Sequence, residues 1–86
     1  MIEYPNIEAW DGSRDVVMFP ANLDGKRIQC GISWEALTDN YCGNDVSAID
    51  CFKANRGVIE TKATQLIERQ RFEPDGSVLI LSADGP

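Results

Sequence analysis

Histidine is absent from the chain. That removes the side chain which titrates near neutral pH and the commonest zinc ligand, so metal and acid–base sites would have to be built from carboxylates and thiols. Apolar runs are short, and none approaches the ~20 residues that cross a bilayer as a helix. Met1 to Pro5 carry neither the basic nor the apolar region of a signal peptide. Cys30, Cys42 and Cys51 form no C-x-x-C pair. Three thiols without a signal peptide read as reduced cysteines in a cytoplasmic protein, with a Cys42–Cys51 disulfide as the less favoured alternative. No phosphate loop, EF-hand loop or D-x-D run occurs. Neither a cofactor nor a metal is therefore expected.

Basic residues are also scarce, 8 against 14 acidic ones, for a net charge of −6. This balance argues against nucleic acid, which is bound mainly by neutralising phosphates. The charge is uneven. Residues 1–50 hold three basic and nine acidic side chains, whereas 53–71 hold five basic and two acidic. That pattern suits two copies pairing, or an acidic partner. At 86 residues the chain is expected to form a single domain, 1–86, with a small core that gains from oligomerisation.

What is present points to an α+β fold. Ile49, Phe52, Arg56, Ile59, Ala63, Leu66 and Gln70 recur at steps of three and four, the spacing of one helix face. A long helix over about 45–71 is predicted, capped by Asp45 or Ser47 and ended before Pro74. Gly57 is its weak point, so a bend there, or a break at Asn55–Gly57, is the alternative. From 15 to 33 the sequence predicts a β-hairpin, because Asp24-Gly25 suits a two-residue type I′ turn. With Leu23 facing Lys26, the residues Val17, Phe19, Ala21, Ile28, Cys30 and Ile32 share one face. Ser33 caps a short helix over about 34–41. Val78 to Leu81 form a C-terminal strand, and Ile2 to Tyr4 a possible edge strand stopped by Pro5. Ile7 and Trp10 look like anchors of an extended segment. Together these give a small antiparallel sheet packed against one long and one short helix.

Several residues are candidates for function, each with a plainer reading beside it. Arg56 lies in the apolar stripe and, with Lys53 and Lys62, would suit a carboxylate or phosphate ligand. The plainer reading is that its stem packs while its head pairs with an acid of the same chain. The carboxylates Glu35, Asp39, Asp45 and Asp50 gather at the helix–helix corner, but helix-start acids explain most of them without acid–base chemistry. Val16, Met18, Leu79 and Leu81 would leave the second sheet face partly apolar, an association surface, and Trp34 would be either core edge or interface anchor. Cys30 is expected to be an inert core residue, and Cys51 to lie off the stripe, partly exposed.

The ordered set Trp10-Asp11, Val17-x-Phe19-Pro20-Ala21 with Asp24-Gly25, Cys30-x-Ile32-Ser33-x-x-Ala36-Leu37, Phe52-x-Ala54-Asn55-Arg56, Ile59 and Asp75-Gly76-Ser77-Val78 resembles the small bacterial family of domain of unknown function 1488. The likeness spans nearly the whole chain. It implies a short cytoplasmic bacterial protein with no established activity, and it supplies no catalytic residues. The reading that follows is a non-enzymatic interaction or regulatory module, homodimeric or bound to another protein. A small-ligand or anion binder comes second and a carboxylate enzyme third.

Overall fold

The computed structural model covers residues 1–86. In chain order it contains β1 (Ile2–Glu3), β2 (Ala9–Asp11), β3 (Val16–Leu23), β4 (Lys26–Ser33), α1 (Trp34–Leu37), α2 (Ala48–Ala54), α3 (Arg56–Glu68) and β5 (Val78–Ile80). A π-helical turn, Thr38–Cys42, prolongs α1, and a 3-10 turn, Ser82–Asp84, follows β5. The class is α+β, a five-stranded sheet with the helices on one face.

The hairpin β3–β4 forms the centre in the register the alternation predicts: Leu23 opposite Lys26, Ala21 opposite Ile28, Phe19 opposite Cys30, Val17 opposite Ile32. Asp24 (φ 51°) and Gly25 (φ 85°) both take the left-handed conformation that a type I′ turn needs. Both β1 and β2 pair antiparallel with β3, at its two ends. Pro20 falls in the gap between them, where the hydrogen bond it cannot donate is not required.

The last strand departs from the all-antiparallel expectation. β5 lies parallel to β4, with Cys30 opposite Val78 and Ile32 opposite Ile80. A strand that returns after a helical crossover enters in the direction of the strand it left, and α1 to α3 are that crossover. The sheet is thus mixed.

The long helix is two helices. It begins at Ala48, capped by Ser47, whose Oγ accepts the Asp50 N–H at 3.1 Å; Asp45 lies in the preceding turn. It bends at Asn55 (φ −120°, ψ 18°) rather than at Gly57. The Asn55 amide donates to the Cys51 carbonyl at 3.0 Å, a local bond that competes with the helical ladder. The buried stripe survives, because Asn55 N–H still reaches Cys51 O and Ile59 N–H still reaches Asn55 O. α3 ends at Glu68, short of Arg71, and Gln70 turns the chain with φ 57°. Gly57 sits two residues into α3, and a methyl group there would meet no atom within 4 Å. Gly57→Ala is therefore expected to stabilise the protein by up to about 1 kcal/mol, read as a higher urea midpoint at unchanged m.

One core joins the layers: Val17, Phe19, Ala21, Cys30 and Ile32 from the hairpin, Leu37 from α1, Phe52, Ile59, Ala63 and Leu66 from α2 and α3, and Val78 and Ile80 from β5. The Phe19 and Phe52 rings meet at 5.0 Å between centroids, a tilted contact between sheet and helix. On the opposite sheet face, a side chain at Gly31 would come within 2.6 Å of Val16 Cγ1 and 3.1 Å of Met18 Sδ. Val16 is consequently buried at 3% exposure, not open as the sequence suggested, while Met18 and Leu79 are half-buried. Gly31→Ala is expected to cost about 1–3 kcal/mol in chemical denaturation, since the stiff Val16 side chain must move.

The C-terminus is tied down by Asp84. Its carboxylate accepts the Leu81 N–H at 2.7 Å and pairs with Arg71, while Lys62 Nζ donates to its backbone carbonyl at 3.0 Å. Burial pushes the Asp84 pKa up, but the Leu81 N–H and the Arg71 guanidinium together outweigh it and hold the carboxyl below 3.8. The stabilising contribution of a depressed carboxylate is present above its unfolded pKa and lost as the pH falls through the folded one. Asp84→Asn should accordingly flatten the acid limb of a stability–pH curve below about pH 4.

Candidate functional site

An apolar groove of about 520 Å³ is lined by Trp10, Asp15, Trp34, Ser47, Ala48 and Ile49. Its construction is local. Trp10 stands in β2 opposite Val17, on the helix-bearing side of the sheet but beyond its edge, and is 43% exposed. Trp34 opens α1 directly after the Ser33 cap, whose Oγ accepts the Ala36 N–H at 3.0 Å. Its own N–H donates to the Asp15 carbonyl at 2.8 Å, and Asp15 takes a positive φ of 55° to present it. Both tryptophans of the chain thus meet at one end of the central hairpin. The first turn of α2 supplies Ser47, Ala48 and Ile49 as the facing wall. Trp34 and Ile49 also pack against the core, so Trp34 is core edge on one side and groove wall on the other.

The α2 wall is fastened by a Cys42–Cys51 disulfide, with Cα atoms 5.9 Å apart. This corrects the expectation of three reduced thiols. Cys51 is 1% exposed rather than partly open, because α2 packs against α1 as well as the sheet and buries a wider arc than the stripe. The Asn55 amide lies 3.1 Å from Cys42 Sγ. Cys30 is the free cysteine, and burial pushes its thiol up to about 12, which keeps it protonated and unreactive.

The other candidates fall elsewhere. Arg56 pairs with Glu8 and, at 3.4 Å, with Glu60, and its guanidinium lies 4.7 Å over the Phe52 ring. Its side chain is 19% exposed. Lys53 is exposed on α2, and Lys62 is bound to the Asp84 carbonyl. Glu35, Asp39, Asp45 and Asp50 are all exposed. Asp39 accepts the Ser82 hydroxyl. None of these carboxylates enters a desolvated cleft of the kind a paired acid–base site needs. No group of three or more His, Cys, Asp and Glu is placed to hold a metal ion. No helix is long and apolar enough to cross a membrane. Leu81 is 42% exposed and does not line the Trp10 groove.

The groove was missed from sequence because Trp10 and Trp34 lie 24 positions apart and neither has a motif around it. A signal existed: extending the Val17–Ile32 register to the hairpin mouth puts Asp15 opposite Trp34.

Known proteins share this architecture. The chain is 32% identical over 78 residues to the uncharacterized protein YrdB of Escherichia coli (strain K12), covering 90% of this chain and 92% of that protein. The Shigella flexneri protein of the same name matches equally. A 1.60 Å crystal structure of a protein of unknown function from Shewanella loihica PV-4 superposes with a TM-score of 0.79 at 27% identity, over 92% of this chain and 90% of that one. Residues 2–80, from β1 through β5, match the family described as protein of unknown function (DUF1488), and the chain belongs to it.

Proposed function

We propose that the protein is a non-enzymatic interaction module that docks its partner in the Trp10–Trp34 groove. The observation that carries this reading is the meeting of both tryptophans on one concave apolar surface. Exposed aromatic side chains over an apolar floor are the usual anchors of protein interfaces, since they bury a large area at little entropic cost. Chemistry is the weaker reading, because no polar or charged residue of the chain is buried. A cytoplasmic location belongs to the proposal. In that compartment the Cys42–Cys51 bond would be transient.

A second reading, a homodimer, is favoured by the outer sheet face. There Met18 and Leu79 flank the bare backbone of Gly31 as a half-buried apolar strip. One experiment separates the two. Tagged protein recovered from its native lysate is weighed by native mass spectrometry, alongside Trp10→Ser and a Met18→Asp, Leu79→Asp double variant. The groove reading expects a stoichiometric partner that Trp10→Ser loses and the double variant keeps. Equal retention by Trp10→Ser and wild type would sink it. A dimer lost only in the double variant would move the interface to the sheet face.

A further inference from the structure

We infer that the groove's occupant is a segment of a different protein in which apolar residues are flanked by lysine and arginine. This rests on the docking groove proposed above and names its partner class. The argument is charge complementarity. Asp15 lines the groove. Glu35 follows Trp34 in sequence, and Asp45 and Asp50 flank the α2 wall. None of the four is in an ion pair, since the acids so engaged are Asp24, Glu8, Glu60 and Asp84. Arg14, beside Asp15, and Lys53, one turn along α2 from Ile49, are the basic residues of this region, so four carboxylates against two cations leave the rim negative on balance. Such a rim around an apolar floor attracts cations at its edge and repels acids, and so selects partners as well as hastening encounter.

The occupant is not a second copy. The basic stripe of 53–71 is largely spent inside the chain: Arg56 on Glu8 and Glu60, Arg71 on Asp84, Lys62 on the Asp84 carbonyl. Of that stripe Lys53 and Arg69 remain, too few to answer four carboxylates.

The two tryptophans make the groove its own reporter. The probes are three tryptophan-free amphipathic helical peptides of about 18 residues. They share a leucine face and carry lysine, glutamine or glutamate on the other. Titration is followed by the intrinsic fluorescence of the full-length protein. The lysine peptide is expected to shift the emission saturably and to bind at least tenfold tighter than the glutamine peptide, with the glutamate peptide not binding. Its affinity is expected to fall at least tenfold between about 0.02 and about 0.5 M salt. Trp10→Ser, which keeps the charge but removes one wall, should abolish binding while melting as a folded protein. Ala48→Phe, which fills the groove from the helix side, should do the same if Trp10→Ser proves unfolded. Equal binding of the lysine and glutamine peptides would overturn the basic partner and leave the docking groove standing. Silence from all three peptides would overturn both, and undiminished lysine-peptide binding in the groove variants would show unspecific attraction to an acidic protein and overturn the inference.

Discussion

Reducing the Cys42–Cys51 bond is expected to lower the melting temperature by roughly 10–20 °C, the largest shift a reagent that leaves the sequence intact should produce. The bond closes a loop with a sequence separation of 9. Closing a loop of that size removes about 3 kcal/mol of conformational freedom from the unfolded chain, a large share of what an 86-residue domain has to spare. The comparison is wild type with and without a dithiol reductant, beside a Cys42→Ser, Cys51→Ala variant that should melt low and ignore the reductant. Counting thiols in denaturant gives an independent check: one before reduction, from Cys30, and three after. A wild type that ignores the reductant, or shows three thiols from the start, would mean that the two sulfurs are neighbours without a bond.

The consequence reaches the groove. The bridge holds the end of the π-helical turn against α2, and the chain between them delivers Ser47 and Ala48 to the groove wall. Cys51 is buried and Cys42 is the more accessible sulfur. A reductant's thiolate therefore attacks at Cys42, releasing the Cys51 thiolate into a poorly solvated position, which slows exchange.

The sequence made the hairpin legible down to the register, because a turn pair that demands positive φ and a strict alternation agree on one answer. It also located the helix stripe. Three features were hidden, each for a physical reason. Alternation does not encode strand direction, so β5 could not be placed parallel to β4 without knowing which way the crossover ran. Periodicity survives a bend that keeps its hydrogen bonds, so the sequence favours one helix, with a break at Asn55–Gly57 as the alternative. The disulfide is less favoured from sequence because an odd number of cysteines without a signal peptide reads as reduced thiols, and nothing in the sequence reports how closely α1 and α2 pack. The groove was hidden more deeply. Its walls come from β2, α1 and α2, and only the pairing of β2 with β3 carries Trp10 to the hairpin mouth.

Arg56→Ala is expected to destabilise the protein by about 3 kcal/mol, because it removes two charge-assisted contacts and a stacked cation from a mostly buried position. Both Glu8 and Glu60 would keep a charge with no partner, and Phe52 would lose the cover on its ring. Arg56→Lys should fall between, since one ammonium cannot reach two carboxylates and stack as a planar fork does. The measurement is urea unfolding at constant m, with a Glu8→Gln, Arg56→Ala cycle expected to show coupling above about 1 kcal/mol. The alternative role, an anion site shared with Lys53 and Lys62, predicts the opposite: unchanged stability and a lost ligand. A loss below about 0.5 kcal/mol would revive it. The pair also bears on docking. Glu8 lies two residues before Trp10, in the segment between β1 and β2, so Arg56 ties α3 to that segment close to the strand that carries the groove's exposed wall, as the Tyr4–Thr64 hydrogen bond ties it further upstream. Breaking the Arg56 tie should loosen Trp10 while Trp34 stays seated on the core. In an Arg56→Ala protein held below its unfolding transition, acrylamide should therefore quench tryptophan emission more strongly than in wild type, and adding Trp10→Ser should erase the difference.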